Sequence, residues 1–506
     1  MKNPFLFPFR GSFLLLTGAG GLVSCQSPVA EKPNFLFILV DDLGYMDVGF
    51  NNPDCFYETP NLDRLATESI RFTRAYAACP VCSPTRASIM TGKYPARLHT
   101  TDYFGAPQPG RILENPHPRF AELPLLPAPY VEKLPLEEVT VAKAFKEAGY
   151  ATFFAGKWHL GPEGYWPEDQ GFDVNQGGIE RGGPYGGNRY FSPYGNPRLT
   201  DGPDGEHLPD RLAYETVRFI ADHKDQSWFA FLSFYSVHTP LMTRKDLEDK
   251  YREKARNALP DEWGVEGERK VRMVQNHAVY AGMVESMDLA VGKVLDYLKA
   301  NGLDQNTVVV FMSDNGGLST SEGHPTSNLP LRAGKGWLYE GGIREPMLIK
   351  WHGKHSSVKE CDHPVISTDF YPTMLEMAGL DFKPEQHADG ISMVSLMSRR
   401  PKSAAHSDRP LFFHYPHWGN QGGTPGAAII LGRYKLIEFF GHVVDGDSLV
   451  AGVKSAELYD LMDDPGELRN LADEQRDRVD QMSVMLHEWQ EEMGAAFPSI
   501  NPLYLE

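Results

Sequence analysis

Three apolar runs stand out along the chain and share one design. "NFLFILV" (34–40), "WFAFLSFY" (228–235) and "VVVFM" (308–312) are continuous, without the polar alternation of a half-exposed strand. Runs of this kind, rich in branched and aromatic side chains, are expected of strands buried on both faces. Each leads into polar chemistry: Asp41 and Asp42 after the first, His238 after the second, and Ser313, Asp314 and Asn315 after the third. Between the runs lie helical patterns. The clearest sets Met283, Met287, Ala290, Val291, Val294, Leu295 and Leu298 on one face and stops at Asn301-Gly302. Strands alternating with helices predict an α/β fold with a large, mostly parallel central sheet covered on both faces. Such sheets bind ligands beyond the carboxyl ends of their strands, so these polar residues are expected to gather at one edge. A single strand-end acid is ordinarily a helix cap or a solvated turn; three runs with the same ending weigh against that.

After residue 400 the texture changes. "SAAHSDRP" (403–410) reads as a linker, and "PLFFHY" (410–415), "AAIILG" (427–432) and "YKLIEFF" (434–440) as short strands. A final helix carries Val479, Met482, Leu486, Trp489 and Met493 on one stripe. The pattern predicts a main domain over 33–402 and a smaller C-terminal α+β unit with an antiparallel sheet over 403–506. At the other end, Lys2 and Arg10 flank "GSFLLLTGAGGLV" (11–23), too short to span a bilayer and read as a targeting segment. Its close, Leu22-Val23-Ser24-Cys25, resembles the lipobox of bacterial lipoproteins. That resemblance implies a signal peptide over 1–24, a lipid on Cys25, a tether over 25–32, and an exported protein held at the cell envelope, in the periplasm or at the outer membrane. A plain signal peptide cut nearby is the alternative.

Composition narrows the chemistry. An apolar share of 41% and a charged share of 23% are those of an ordinary globular protein. The formal charge of −18 argues against a nucleic-acid partner and requires any anion site to be a local cationic pocket. Beyond Cys25, the cysteines at 55, 79, 82 and 361 are too few for a disulfide framework. Cys79 and Cys82 have the spacing of a redox pair, and also of half a zinc knuckle, though no second close ligand pair exists. In "CSPTRASIMTG" (82–92), Ser83 suits an N-cap, Pro84 the first helical position and Gly92 a stop. Cys82 would then lie where unpaired N–H groups and the helix dipole favour an anion, with Arg86 as a fixed cation. The residues by themselves leave the redox, metal and nucleophile readings open.

"CSPTRASIMTGKYP" (82–95) resembles the signature of the type I sulfatases. The likeness continues through "LVDDLGYMDVG" (39–49), "GKWHLG" (156–161), "VHTPL" (237–241), "SDNGG" (313–317), "GKGWLYEGGIREP" (334–346) and "ELYDLMDDPGELRNLA" (457–472). It is similar to arylsulfatases and to bacterial glycan sulfatases such as those for N-acetylgalactosamine or galactose sulfates. The resemblance implies an alkaline-phosphatase-like sandwich and oxidation of Cys82 to formylglycine (3-oxoalanine) by a maturation enzyme. It also implies one calcium ion held by Asp41, Asp42, Asp314, Asn315 and the modified Cys82. Lys157 and Lys335 would neutralise sulfate oxygens. His238 with Lys335 would protonate the departing alkoxide, and His159 would take a proton from the formylglycine hydrate. Arg86 would order the site through the modified side chain or the calcium-bound carboxylates. Arg344 in "GGIREP" reads as structural. An all-oxygen ligand set independently suits a hard divalent cation.

Substrate choice is expected from loops around the pocket. "HTTDYFG" (99–105), "ERGGPYGGNRY" (180–190), "EGHPTSN" (322–328) and "HYPHWGN" (414–420) carry groups that sugars favour, and Asp102, Arg181, His324 and His417 are the candidates. The implied substrate is a sulfated saccharide from glycosaminoglycan, mucin or algal glycan. The alternatives are a phosphatase or phosphodiesterase of the same superfamily, and an inactive binder of sulfated glycans. The first would ordinarily use Ser or Thr and a second metal, where Lys157 and Lys335 stand here. The second would be expected to have lost one of the motif residues.

Overall fold

The computed structural model describes residues 32–351, 358–397, 406, 409–445 and 448–504. The expected signal peptide, Cys25 and most of the 403–410 linker lie outside the described residues. The main sheet runs in the order Glu360–Cys361, Ile70–Tyr76, Arg344–Trp351, Thr307–Ser313, Asn34–Val40, Trp228–Ser233, Ala151–Gly156 and Val174–Gln176, with Val365–Ile366 pairing beside Ile70–Tyr76. Arg344–Trp351 is antiparallel to both neighbours. The other pairings are parallel.

The apolar runs form the centre of this sheet because both of its faces are covered. Along Asn34–Val40, Phe35, Phe37 and Leu39 enter one core while Leu36, Ile38 and Val40 enter the other. The helix Ala278–Ala300 lays Met283, Met287, Val291 and Val294 into the second core. On the opposite face Phe37 stacks on Phe231 with ring centroids 4.7 Å apart.

The C-terminal sheet is antiparallel: Leu411–Tyr415, Gly426–Leu431, Tyr434–Asp445 and Ser448–Asp460. The helix Arg476–Met493 packs on it, with Trp489 stacked on Phe412 at 4.7 Å. Its apolar face shares one core with Tyr76, Val81, Tyr94 and Trp337 from the main body. Among the described residues no helix is long and apolar enough to cross a membrane.

Candidate active site

Strand register assembles the site. Val40 stands opposite Ser313, while Leu39 and Gly156 both stand opposite Ser233. Asp41-Asp42, Asp314-Asn315 and Lys157 therefore leave the sheet at one level. Gly156 is required for this exit. Its φ is 99°, and a Cβ there would lie 1.8 Å from the Ser233 carbonyl oxygen. The close approach lets the Lys157 N–H donate to that carbonyl at 2.9 Å.

The helix Cys82–Thr91 delivers the cysteine, starting two residues earlier than expected from Ser83 and Pro84. Val81, in extended conformation, is the N-cap and has no side-chain bond to the helix. Ser83 instead accepts the Phe104 N–H at 3.1 Å, which ties the 99–105 loop to the helix start. Gly92 ends the helix in the left-handed conformation, as its place in the motif predicts. Cys82 is buried at the electropositive end, where the first N–H groups have no helical partner.

Around Cys82, Sγ and one carboxylate oxygen each from Asp41 and Asp314 lie within 4.8 Å of one another. Lys157 Nζ is 2.6 Å from Asp41, and Lys335 Nζ is 2.7 Å from Asp42. Arg86 reaches Asp314 with Nε at 2.8 Å and Nη2 at 2.7 Å, while Nη1 donates to the Lys157 carbonyl and to Ser233 Oγ. Three cations thus face three carboxylates, all buried. Asn315 donates to Asp42 at 2.8 Å. Asp41 Oδ1 and Asn315 Oδ1 are buried with no hydrogen-bond partner, and a buried lone pair left this way is costly unless something binds it. Unpartnered oxygens beside crowded carboxylates fit a hard divalent cation.

The electrostatics agree. Burial, with Asp314 and Asp42, pushes Asp41 well above the usual carboxylate range although Lys157 opposes it. For Asp42 burial is outweighed by Lys335, His238 and Lys157, which hold it well below that range. Burial raises the Cys82 thiol despite Lys157 and Lys335, so it is not poised as a thiolate. Burial also raises Cys79 strongly, and all four described cysteines are free thiols.

The two histidines present lone pairs inward. His159 Nε2 donates to the Phe104 carbonyl at 3.0 Å, which leaves Nδ1 as the acceptor 3.5 Å from Cys82 Sγ. Burial and Lys157 depress its pKa well below the ordinary value. His238 Nδ1 donates to the Thr239 carbonyl at 2.7 Å, and Nε2 points to Asp42 at 3.9 Å. Burial and Lys335 push His238 down to about 4, against Asp42. Lys335 is held well above its usual value, since Asp42 and other acids outweigh burial. Of the two, Lys335 therefore holds its proton the more firmly.

The structure brings Asp41, Asp42, Cys82, Arg86, Lys157, His159, His238, Asp314, Asn315 and Lys335 into one cluster. Arg344 lies outside it, donating to the Thr73 carbonyl with its guanidinium 4.8 Å from the Tyr45 ring. The loop candidates are dispersed. Asp102 and His417 are buried against each other, Oδ2 to Nδ1 3.6 Å, with Thr101 Oγ1 2.8 Å from His417 Nε2. Burial lifts Asp102 to about 8. Arg181 donates to the Gly195 carbonyl, and the His324 ring meets Trp263 edge-on at 5.6 Å. Neither of these two touches the cluster through those bonds. Gly182, next to Arg181, does: a Cβ there would lie 2.7 Å from His159.

Four contributors were not singled out from sequence: the Phe104 carbonyl, Ser233, Tyr185 and Glu322. Tyr185 is exposed and stands edge-on to His238 at 6.2 Å. Only its place in the aromatic loop "ERGGPYGGNRY" could have flagged it. A cavity of about 610 Å³ lies elsewhere, between the C-terminal hairpin and the last helix, and holds none of these residues.

Comparison with known proteins bears on this arrangement. The family model described as Sulfatase matches residues 33–380. A second, described as N-sulphoglucosamine sulphohydrolase, C-terminal, matches residues 333–494. A protein named Sulfatase from Formosa agariphila is 31% identical, covering 87% of this chain and 84% of that protein. The N-acetylgalactosamine-6-sulfatase of Mus musculus is 28% identical, covering 96% and 91%. Among solved structures, Ps i-CgsB aligns with a TM-score of 0.70 and 28% identity over 91% of this chain and 93% of that one.

Proposed function

The chain belongs to the sulfatase family and is a sulfuric ester hydrolase, and we propose that it acts on sulfated saccharides, with Cys82 matured to formylglycine and one calcium ion at Asp41, Asp42, Asp314 and Asn315. The observation that carries the proposal is the pair of orphaned oxygens, Asp41 Oδ1 and Asn315 Oδ1, beside a cysteine at a helix N-terminus. Without metal the cluster is balanced, three carboxylates against Lys157, Lys335 and Arg86. A bound divalent cation adds an excess of two positive charges, which a sulfate monoester and one ionised hydroxyl would match.

The hydrated aldehyde supplies one hydroxyl for attack on sulfur and a second whose deprotonation resets the side chain. The chain's own residues do the rest. Lys157 and Lys335 counter charge on the sulfate oxygens. His159, fixed by the Phe104 carbonyl, directs its unprotonated Nδ1 at residue 82 and can accept that second proton. Lys335 holds the proton for the departing oxygen, and His238 Nε2 lies beside the same carboxylate, Asp42. Burial of the cluster keeps water away and strengthens each of these interactions.

A saccharide substrate is supported by the names of relatives, including N-acetylgalactosamine-6-sulfatase, and by a structure of Ps i-CgsB in complex with a neocarrahexaose. The exposed Tyr185 beside His238 is a surface of the kind that sugar faces cover. From the segment ending in Cys25 we further propose export and lipid anchoring at the bacterial envelope, to be checked by loss of membrane association in Cys25→Ala.

The test is release of inorganic sulfate from sulfated mono- and oligosaccharides by protein made in a host able to form formylglycine. Release is expected to vanish in Cys82→Ala and on chelation, with calcium restoring it. Sulfate release that survives Cys82→Ala refutes the nucleophile. Phosphate release from the corresponding phosphorylated sugars, with no sulfate release, supports a phosphatase, and saturable binding without turnover supports a binder.

A further inference from the structure

Glu322 is a carboxylate in the wrong place for an anion-binding pocket. It is half-buried and accepts from Thr239 Oγ1 at 3.2 Å, Asn420 Nδ2 at 3.3 Å and Gln421 Nε2 at 2.8 Å. All three donors are neutral, and no described ion pair includes Glu322. Its neighbours fix where it stands. Thr239 follows His238 in the chain, and Gln421 lies against Gly336, which follows Lys335: a Cβ on Gly336 would be 2.7 Å from Gln421 Oε1. Its charge is felt by His238, Lys335, Tyr185 and Tyr103, groups of the same pocket. Asp41, Asp42 and Asp314 each have a cation; Glu322 has none.

A carboxylate offers about four lone-pair directions, and three donors leave room for another. An uncompensated negative charge where a sulfated substrate docks opposes binding unless the substrate itself brings a donor to it. Sulfate and carboxylate groups cannot do so; a sugar hydroxyl can. We propose that Glu322 accepts a hydrogen bond from a free hydroxyl on the carbon next to the scissile sulfate ester, and so selects sugars that lack a second anionic group there. The placement rests on the reading above, in which Lys335 and His238 face the leaving oxygen. The substrate class is then a sugar sulfate with a neutral, hydroxylated neighbour carbon.

The experiment measures kcat/KM for wild type, Glu322→Gln and Glu322→Ala on two substrates. One is the monosulfated sugar that wild type cleaves fastest; the other is its analogue deoxygenated at the adjacent carbon. Wild type is expected to lose about 10–100-fold on the deoxy analogue, the worth of one hydrogen bond to a charged group. In Glu322→Ala that ratio should shrink to within about threefold, because the bond is already absent, and in Glu322→Gln, whose amide oxygen still accepts but carries no charge, it should fall to an intermediate value. The ratio is taken within each protein, so a general loss of folding cancels. The analogue with a second sulfate at that carbon should gain relative to the monosulfate in Glu322→Gln. An unchanged deoxy penalty in both variants overturns the proposal and leaves the sulfatase reading standing. If wild type releases no sulfate from any sugar, the saccharide reading fails and takes this inference with it.

Discussion

Replacing Arg86 by lysine separates two roles that a cation in this pocket could play. The guanidinium spans the cluster: two nitrogens reach Asp314, and Nη1 bridges the Lys157 carbonyl and Ser233 Oγ at 2.7 and 2.8 Å. A lysine ammonium keeps the charge but not the planar fork, so it can hold Asp314 or the carbonyl, not both. Two hydrogen bonds from a charged donor are lost, at roughly 1.5–3 kcal/mol each. The loss is softened because Ser233 Oγ still donates to the Lys157 carbonyl at 2.7 Å. A net cost of about 3 kcal/mol is about 100-fold, at the upper end of what residues supporting metal ligands usually contribute. Alanine is the poorer probe, since it strands a buried carboxylate at roughly 3–5 kcal/mol. The assay is steady-state sulfate release titrated with calcium. If Arg86 positions Asp314 and the Lys157 backbone, Arg86→Lys lowers kcat and raises the calcium concentration for half-activity. If it only grips the substrate's sulfate, KM rises and kcat stays. Wild-type kcat with a wild-type calcium requirement would refute the positioning argument.

Three further outcomes follow from the same geometry. Gly156→Ala forces a Cβ to 1.8 Å from a backbone oxygen at φ 99°, so soluble yield and melting temperature should both collapse, while Gly302→Ala, which meets nothing within 4 Å, costs only its left-handed φ. His159→Ala should lower kcat by about 10²–10⁴-fold with little change in melting temperature, read by sulfate release and thermal unfolding side by side. Asp288 receives the Leu62 and Asn61 N–H groups at the start of the helix Pro60–Thr67, yet burial raises it from 3.8 to about 6. Its proton is held more tightly in the folded state, so the stabilisation it gives is full below pH 4 and lost as pH rises to 6. Relative to Asp288→Asn, wild type should therefore lose up to about 3 kcal/mol across that window, measured by unfolding at stepped pH.

The legible part of this molecule was the part built on burial from both sides. Asn34–Val40, Trp228–Ser233 and Thr307–Ser313 announce themselves because each alternate residue enters a core, and the catalytic polar residues follow them directly. Ala151–Gly156 is as long as Trp228–Ser233 and nearly as buried, but only Phe153 and Phe154 in it are large and apolar, and its importance shows only in the register that delivers Lys157. The antiparallel Arg344–Trp351 follows from nothing in its own pattern, since direction is set by the route of the chain. In the C-terminal sheet the run at 434–440 is visible, but the hairpin continues to Asp445 and back through Ser448–Asp460, where apolar residues such as Val444 and Val453 are exposed and follow no alternation that marks a buried face. At the helix of Cys82, the serine that looks like a cap is used across the fold to hold Phe104, a tertiary preference that local propensity cannot register.

The same distinction explains why the charged core could be read and the rim could not. Asp41, Asp42, Asp314, Lys157, Lys335 and Arg86 form a buried set of three carboxylates and three cations whose formal charges sum to zero. Removing any one strands a partner in a low-dielectric interior, so every member is fixed by the others as much as by the reaction. Glu322 and Tyr185 are under no such constraint: their partners are neutral or absent, and their loops can carry other side chains without unbalancing the core. A protein with a formal charge of −18 can therefore hold an anion site without any large basic surface. The cations lie inside, each against a buried carboxylate, and it is at the rim of this cluster that a carboxylate without an ion pair is able to sort substrates.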